Sequence, residues 1–129
     1  MKQSILIIDD EEALLNLMAI RFEEEGRYNI FKALTAEEGL EILASNRIHI
    51  IITDLNLPGM SGVDFCKKVR ETNPISIIIA VTGYYKMFEL TECRAVGFDD
   101  YFKKPISFED LFIAVDHACG RVQRWFEKD

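Results

Sequence analysis

Unbroken runs of isoleucine and valine, separated by stretches of helical periodicity, constrain the fold of this chain more than any other feature. Three such runs occupy residues 4–8, 48–53 and 76–81, and two shorter or more mixed runs occupy residues 28–33 and 98–102. Apolar runs of this length are typical of strands that are buried on both faces, as in a parallel sheet. We therefore expect five strands, and the mixed second strand should lie near an edge.

A helical segment follows each strand. Gly26 ends the first helix, Thr35 and Glu38 form a capping box for the second, and Ser107 caps the fifth. The third helix should cover residues 62–72 and the fourth, with an irregular apolar stripe, residues 85–95. The residues expected to face inward are Leu14, Leu17, Met18 and Phe22 in the first helix, Ala36, Leu40 and Leu43 in the second, and Phe108, Leu111, Phe112, Val115, Ala118, Val122 and Trp125 or Phe126 in the fifth.

Five βα units in series predict an α/β fold. The expected architecture is flavodoxin-like (βα)5, a doubly wound five-stranded parallel sheet with strand order 2-1-3-4-5 and helices on both faces.

Length, charge and cysteine usage exclude several classes of protein. A chain of 129 residues can form one domain with a real core, and a net charge of −7 argues against a nucleic-acid-binding surface. No apolar run approaches the ~20 residues of a membrane span, and no signal peptide is recognisable. Cys66, Cys93 and Cys119 lack metal or disulfide spacing, so we expect reduced cysteines in a cytoplasmic protein.

Polar residues suited to phosphoryl chemistry stand at the ends of four strands. Asp9 and Asp10 follow the first strand, Asp54 follows the third, Thr82 ends the fourth and Lys104 follows the fifth. The carboxyl ends of parallel strands share one edge of the sheet, where ligands bind. Clustered carboxylates suit Mg²⁺, a carboxylate can attack a phosphoryl group, and a hydroxyl and an ammonium can bind phosphoryl oxygens. The set predicts a magnesium-dependent phosphoryl site.

Each member of this set also has an ordinary structural explanation. Acidic residues favour the start of a helix through its dipole, and we prefer that explanation for Glu11 and Glu12. Asp54 can be a capping residue, Thr82 a residue with β propensity and Lys104 a solvated surface lysine. The joint pattern is far more specific than any one member, because four strand ends each supply a suitable group.

With these motifs the chain closely resembles the receiver (response regulator) domain of two-component, His-Asp phosphorelay signalling systems. The resemblance spans about residues 2–125. It rests on the acidic pair at residues 9 and 10, Asp54 in ITDLNLPGMSG, the Thr82-Gly83 step, and Lys104-Pro105 in DDYFKKP. It implies a receiver domain over residues 1–126, a C-terminal tail at residues 127–129 and no output domain in this chain.

The resemblance implies roles for the matching residues. Asp54 would be the phosphoacceptor, phosphorylated by a sensor histidine kinase or a histidine phosphotransfer protein. Mg²⁺ would be held by Asp10, Asp54 and the backbone carbonyl of Asn56, with Asp9 acting through a metal-bound water. Lys104 would bind the phosphoryl group, and its bond to the following proline is expected to be cis. The domain would be a signalling protein rather than an enzyme, with intrinsic self-phosphorylation and autodephosphorylation chemistry at Asp54.

The resemblance also implies a conformational switch. Thr82 would move toward the phosphoryl group and Tyr101 would turn inward, which changes the surface of helix four, strand five and helix five. That surface would contact an output domain, a downstream protein or a second copy in a homodimer, but neither nucleic acid nor membrane.

Tyr84 is expected to slow hydrolysis of the acyl phosphate. Strand alternation and the following proline favour Lys104 over its neighbour Lys103.

Other classes of protein fit these residues less well. An aspartate-nucleophile phosphatase carries its second aspartate two residues after the first, a spacing that Asp9-Asp10-Glu11 lacks. A flavodoxin has a first loop rich in Gly, Ser and Thr, whereas the first loop here is acidic. The P-loop motif of nucleotide-binding proteins is absent from the sequence. A pseudo-receiver that only binds partners is the alternative, against which the intact site set argues. His49 and His117 are assigned no role. Residues 121–126 either pack on the sheet or extend toward a linker or dimer contact.

Overall fold

The structure of the chain is a computed structural model that describes residues 2–83 and 87–126. In these ranges, strands and helices alternate along the chain. The strands are β1 (Gln3–Ile8), β2 (Tyr28–Ala33), β3 (Ile50–Thr53), β4 (Ile77–Thr82) and β5 (Asp100–Lys103), and the helices are α1 (Glu12–Glu24), α2 (Ala36–Ser45), α3 (Gly62–Thr72), α4 (Met87–Val96) and α5 (Phe108–Phe126).

The strands form one sheet in the order β2-β1-β3-β4-β5, and all four pairings are parallel. The predicted fold and strand order are therefore confirmed, with the mixed strand β2 at an edge. The register pairs Ile8 with Thr53, and Thr82 with Lys103. Because these partners are the last residues of their strands or lie next to them, the loops after β1, β3, β4 and β5 meet at one edge.

The sheet separates two apolar layers. Alternate isoleucines of β1, β3 and β4 pack with α1 and α5 on one face, and the intervening residues pack with α2, α3 and Cys93 of α4 on the other. Burial of each such isoleucine stabilises the fold by roughly 1.5–3 kcal/mol, so a sheet with two apolar faces resists local opening at its centre.

Several helix ends are closed by the residues that the sequence indicates. The Thr35 hydroxyl accepts a hydrogen bond from the backbone N–H of Glu38, and the Glu38 carboxylate accepts one from the N–H of Leu34. The Ser107 hydroxyl accepts from the N–H of Asp110 at the start of α5. These contacts satisfy N–H groups that a helix leaves unpaired, which fixes where α2 and α5 begin.

Four details differ from the expectations. Leu17 is exposed, whereas Leu15 and Ala19 of α1 are buried, so the inward face of this helix is rotated from the predicted stripe. Strand β3 begins at Ile50 rather than residue 48, and β5 begins at residue 100 rather than 98. Trp125 is exposed, and Phe126 stacks on His49, which lies just before β3 rather than within it.

Helix α4 begins at Met87 in the structure, and the expectation for Tyr84 lies outside the described residues. In the described part of the chain, no helix is both long and apolar enough to cross a membrane.

Candidate functional site

Lys104 lies at the centre of a cluster of carboxylates at the carboxyl edge of the sheet. Its Nζ is 2.8 Å from Asp54 Oδ2, 2.9 Å from Asp9 Oδ2 and 2.9 Å from Glu11 Oε1. The lysine comes from the loop after β5, and the acids come from the loops after β1 and β3. The structure therefore brings together three of the residues selected from the sequence and adds Glu11.

The cluster is mostly withdrawn from solvent. The side chains of Asp9, Asp54 and Lys104 expose only 1%, 6% and 14% of their surface, whereas that of Glu11 is largely exposed. Burial raises the pKa of the Asp9 carboxyl, and hydrogen bonds from the Glu11 N–H and Lys104 only partly offset that rise. Burial by itself would lower the pKa of Lys104, but hydrogen bonds to Asp54, Asp9 and Glu11 outweigh it, and the pKa is raised.

Backbone contacts hold Asp54 in place. Its N–H donates to the carbonyl of Ile8 at 3.0 Å, which continues the pairing of β3 with β1 by one residue. Its Oδ1 accepts from the N–H of Asn56 at 3.1 Å, and its carbonyl accepts from the Thr53 hydroxyl at 3.0 Å. The carboxylate is therefore oriented from the backbone of its own loop toward Lys104.

Gly62 allows the loop after Asp54 to fold back on itself. A Cβ at Gly62 would collide with the Asp54 carbonyl and would lie 2.8 Å from Leu55 Cα. Its N–H donates to the Leu55 carbonyl at 3.0 Å, and Ser61 caps α3 through the N–H of Asp64 at 3.1 Å. The sequence pattern indicates Gly62 only as the start of the third helix. Nothing in its pattern indicated that the backbone beside Asp54 depends on it.

Asp9 and Asp10 differ in their surroundings. The Asp9 carboxylate is buried and accepts a hydrogen bond from the Glu11 N–H at 2.8 Å. Asp10 is exposed, and the group of ligand oxygens that lie within 4.8 Å of one another comes from Asp9, Glu11 and Asp54. Glu11, which we assigned to the helix dipole, therefore reaches the cluster, whereas Asp10 is not one of its members.

The residues after β4 and β5 lie against Lys104. Thr82 is fully buried, and its carbonyl accepts from the Lys104 N–H at 3.0 Å. A Cβ at Gly83 would touch Lys104 Cβ at 3.6 Å, so the end of β4 packs on the lysine stem. The bond between Lys104 and Pro105 is cis, as expected. Lys103 is exposed.

Tyr101 lies on β5 with its ring partly buried against the core face formed with α2 and α3, and its hydroxyl oxygen is inaccessible to solvent. Asn56 is exposed in the loop that follows Asp54.

The donor set fits a hard divalent cation. Three carboxylates within 4.8 Å of one another repel each other, and a single lysine ammonium compensates only part of their charge. Oxygen donors with room for water or phosphate oxygens are what Mg²⁺ prefers. The residues present are therefore compatible with a magnesium ion.

Comparison with known proteins identifies the family. The model of the family described as "Response regulator receiver domain" matches residues 5–116. The chain belongs to this family of receiver domains. VanR of Enterococcus faecium, a regulatory protein, is 33% identical over 125 residues, which cover 97% of this chain and 53% of that protein. The transcriptional regulatory protein YvrH of Bacillus subtilis is 36% identical over 104 residues, which cover 81% and 44% of the two chains. The receiver domain thus spans about half the length of these relatives.

Solved receiver structures agree in fold. A CheY-like receiver domain protein from Methanospirillum hungatei superimposes with a TM-score of 0.90 at 29% identity, and the match covers 96% of this chain and 99% of that one. The beryllofluoride-activated receiver domain of DrrB gives a TM-score of 0.85 at 25% identity, covering 93% and 99%. A third neighbour is the beryllofluoride-activated NtrC4 receiver domain dimer, with a TM-score of 0.83, 28% identity and coverage of 89% and 94%.

Proposed function

We propose that this receiver domain accepts a phosphoryl group on Asp54 in a magnesium-dependent reaction. The observation that carries the proposal is the buried pair of Asp54 and Lys104, whose oxygen and nitrogen lie 2.8 Å apart at the carboxyl edge of the sheet. An ionised carboxylate held there needs no general base to act as a nucleophile. The donor would be a phosphohistidine of a sensor histidine kinase or a histidine phosphotransfer protein.

The transfer exchanges one bond of phosphorus for another. A carboxylate oxygen of Asp54 forms a bond to phosphorus as the phosphorus–nitrogen bond of the donor breaks, and the released imidazole takes up a proton from solvent. Before the transfer, the Lys104 ammonium is shared among the carboxylates of Asp54, Asp9 and Glu11. The transfer neutralises the Asp54 carboxylate and brings in a phosphoryl group whose oxygens carry negative charge. The ammonium can follow that charge by a small rotation of its stem, which stabilises the product.

Asp9, Asp10 and Asp54 are the side chains proposed to hold Mg²⁺, together with the backbone carbonyl of Asn56, and Asp9 would act through a bound water. The exposed Asp10 would have to turn toward the buried pair, and Glu11 is an additional candidate because its carboxylate already lies in the cluster. When bound, the cation supplies positive charge that offsets the charge of the phosphoryl oxygens. The Asp9 carboxylate also orients Glu11, because it accepts a hydrogen bond from the Glu11 N–H.

The output of the domain is proposed to be the surface formed by α4, β5 and α5. Thr82 is buried at the end of β4 beside Lys104, so a phosphoryl group on Asp54 would attract its hydroxyl. Movement of Thr82 would change the space available to Tyr101 on the adjacent strand. A ligand shifts such an equilibrium only through contacts that differ between the two states, and Thr82 and Lys104 provide those contacts. The recipient would be an output domain, a downstream protein or a second copy of the domain.

Phosphorylation is tested with a small-molecule phosphoryl donor. Incubation with acetyl phosphate and Mg²⁺ should add one phosphoryl group by intact mass, and Asp54→Asn should abolish the addition. Asp64→Asn changes an exposed aspartate on α3 and serves as the matched control, with labelling as in wild type. Equal labelling of wild type and Asp54→Asn would reject the phosphoacceptor. No labelling of the wild type by any donor would favour a pseudo-receiver that only binds partners.

The switch is tested separately by hydrogen exchange. Beryllofluoride with Mg²⁺ should slow amide exchange in α4 more than in α1, and Thr82→Ala should reduce that response while still accepting phosphate. Thr72→Ala, at the exposed end of α3, is the control. An undiminished response in Thr82→Ala would reject the switch without affecting the assignment of Asp54.

A further inference from the structure

A second candidate site lies at the opposite edge of the sheet from Asp54. A cavity of about 430 Å³ opens between the amino ends of β4 and β5 and the last turns of α5. Its walls include Arg70, Arg94 and Arg121, with Asp99 as the acidic wall residue. Three guanidinium groups against a single carboxylate make this a positive site on a chain of net charge −7.

Arg70 is fully engaged and builds the floor of the cavity. Its guanidinium donates to the carbonyls of Pro74, Ser76 and Gly97 and to Asp99 Oδ2, which uses all of its N–H groups. Asp99 Oδ2 also accepts from the N–H of Ile78 at 2.8 Å. Arg70 and Asp99 therefore hold the loops before β4 and β5 together, and they give the cavity a preformed shape.

Arg94 and Arg121 keep donors available. Arg94 donates one hydrogen bond to the carbonyl of Phe98 at 3.2 Å, and Arg121 donates one to Asp99 Oδ1 at 3.2 Å. A guanidinium has five N–H donors, so within the described residues most of those of both arginines lack a protein acceptor. The two side chains come from different helices, α4 and α5, and line the same cavity.

Ser76 forms part of the wall of the cavity but not of its accessible polar surface. The residue is only 2% exposed, and its hydroxyl oxygen is inaccessible to solvent. The guanidinium groups of Arg94 and Arg121 are therefore the polar groups that a ligand in the cavity can reach.

The rim of the cavity is apolar on one side. Trp125 is 68% exposed on the last turn of α5, and the exposed Ile75 also lines the cavity. An exposed indole offers a flat face for stacking, and cavities of roughly 300–1,000 Å³ hold small organic ligands.

We propose that this cavity binds a mononucleotide. The phosphate would accept hydrogen bonds from Arg94 and Arg121, and the base would lie against Trp125. An arginine pair suits a phosphate because each planar fork donates two parallel hydrogen bonds to its oxygens. The site is distinct from the acidic cluster, which repels phosphate in the absence of a cation.

The fluorescence of Trp125, the single tryptophan of the chain, reports on the cavity directly. Titration of the full chain with guanosine monophosphate in EDTA should quench it saturably with a Kd below about 1 mM. EDTA excludes binding through a metal at the acidic cluster. Inorganic phosphate should compete, and guanosine without phosphate should bind at least about tenfold more weakly.

Variants distinguish the site from general charge attraction. Arg94→Gln and Arg121→Gln should each weaken binding about tenfold. Arg124→Gln, an exposed arginine on α5 outside the cavity lining, is the matched control and should stay within about twofold of wild type. Circular dichroism checks that each variant is folded.

Three results would overturn the proposal. They are the absence of saturable quenching by the nucleotide, equal binding of guanosine and its monophosphate, and equal losses in Arg94→Gln, Arg121→Gln and Arg124→Gln. Quenching by an acidic peptide such as hexaglutamate in place of the nucleotide would show that the cavity recognises a protein segment instead.

Discussion

Replacement of Lys104 by methionine should destabilise the domain strongly. The substitution keeps the volume of the side chain but removes the ammonium that lies 2.8 Å from Asp54 and 2.9 Å from Asp9. Both carboxylates are almost fully buried, and loss of one partner of a buried ion pair typically costs 3–5 kcal/mol. Because part of the lysine is accessible and the exposed Glu11 contributes little, we take the lower end, about 3 kcal/mol.

The lower free energy of unfolding of Lys104→Met, called its stability deficit below, should be visible in both denaturant and thermal unfolding. For a chain of this length, about 3 kcal/mol corresponds to a fall in Tm of about 10 °C. Lys103→Met is the matched control, because Lys103 is adjacent in sequence but exposed, and it should change stability by less than about 0.5 kcal/mol. Millimolar Mg²⁺ should recover part of the loss in Lys104→Met, since a cation bound to the carboxylates replaces the missing charge.

The pH dependence provides a second check on the same reasoning. Burial raises the pKa of Asp9 even with Lys104 present. A carboxyl whose pKa is higher in the folded state favours folding when protonated, so the deficit of Lys104→Met should shrink as the pH falls from about 7 toward about 4. A Lys104→Met variant as stable as Lys103→Met at neutral pH in EDTA would refute the argument that one ammonium balances the buried carboxylates.

Three other outcomes follow from the structure. Asp10→Asn should weaken Mg²⁺ binding in calorimetry. Because Asp10 is exposed, the same variant should change the stability of the metal-free domain by less than about 0.5 kcal/mol. A large change in that stability would contradict the exposed placement of Asp10. Gly62→Ala should lower the free energy of unfolding in urea by about 3 kcal/mol, because its Cβ would lie 2.8 Å from Leu55 Cα. Gly120→Ala, with only a 3.5 Å contact, should be neutral or stabilising by about 0.5–1 kcal/mol. If Gly120→Ala were the more destabilising of the two, close packing would be excluded as the cause. Burial, and secondly repulsion from a neighbouring arginine, lowers the pKa of His49, so the free energy of unfolding should fall as the pH drops below about 6.5. His49→Phe should remove this contribution to the pH dependence of stability. An unchanged pH profile in the variant would contradict the role of His49.

The fold and the position of the site could be predicted because both follow from topology. Unbroken isoleucine runs indicate parallel strands, and the carboxyl ends of parallel strands necessarily share an edge. Asp9, Asp54 and Lys104 are far apart in sequence, yet strand order alone is enough to place them together. The same reasoning placed Thr82 beside Lys104.

Contacts that depend on side-chain reach could not be predicted in this way. Glu11 lies at the start of α1, where a favourable helix dipole explains an acid equally well, and only its path toward Lys104 distinguishes the two roles. The choice between Leu15 and Leu17 as the buried leucine depends on the rotation of α1 about its axis, which apolar residues at positions 14, 15, 17 and 18 do not define.

The cavity at the amino edge had no recognisable signal in the sequence. It depends on Arg70, whose partners are mostly backbone carbonyls, those of Pro74 and Ser76 nearby in sequence and that of the distant Gly97. Carbonyl acceptors are present in every residue, so their convergence leaves no pattern of residue types. Gly62 is an intermediate case, since the sequence predicted the start of the third helix there but not the contact with Asp54.

The isoleucines that form the centre of the sheet also make the domain well suited to methyl-labelled NMR spectroscopy. Side chains on the two faces of a strand alternate, so a single labelled residue type reports on both apolar layers. The labelled isoleucines of β1, β3 and β4 would divide into two sets. Those facing α1 and α5 are Ile5, Ile7, Ile50, Ile52, Ile77 and Ile79, and those facing α2 and α3 are Ile8, Ile51 and Ile78. Chemical-shift changes confined to one set would show which layer of the core transmits an event at Asp54.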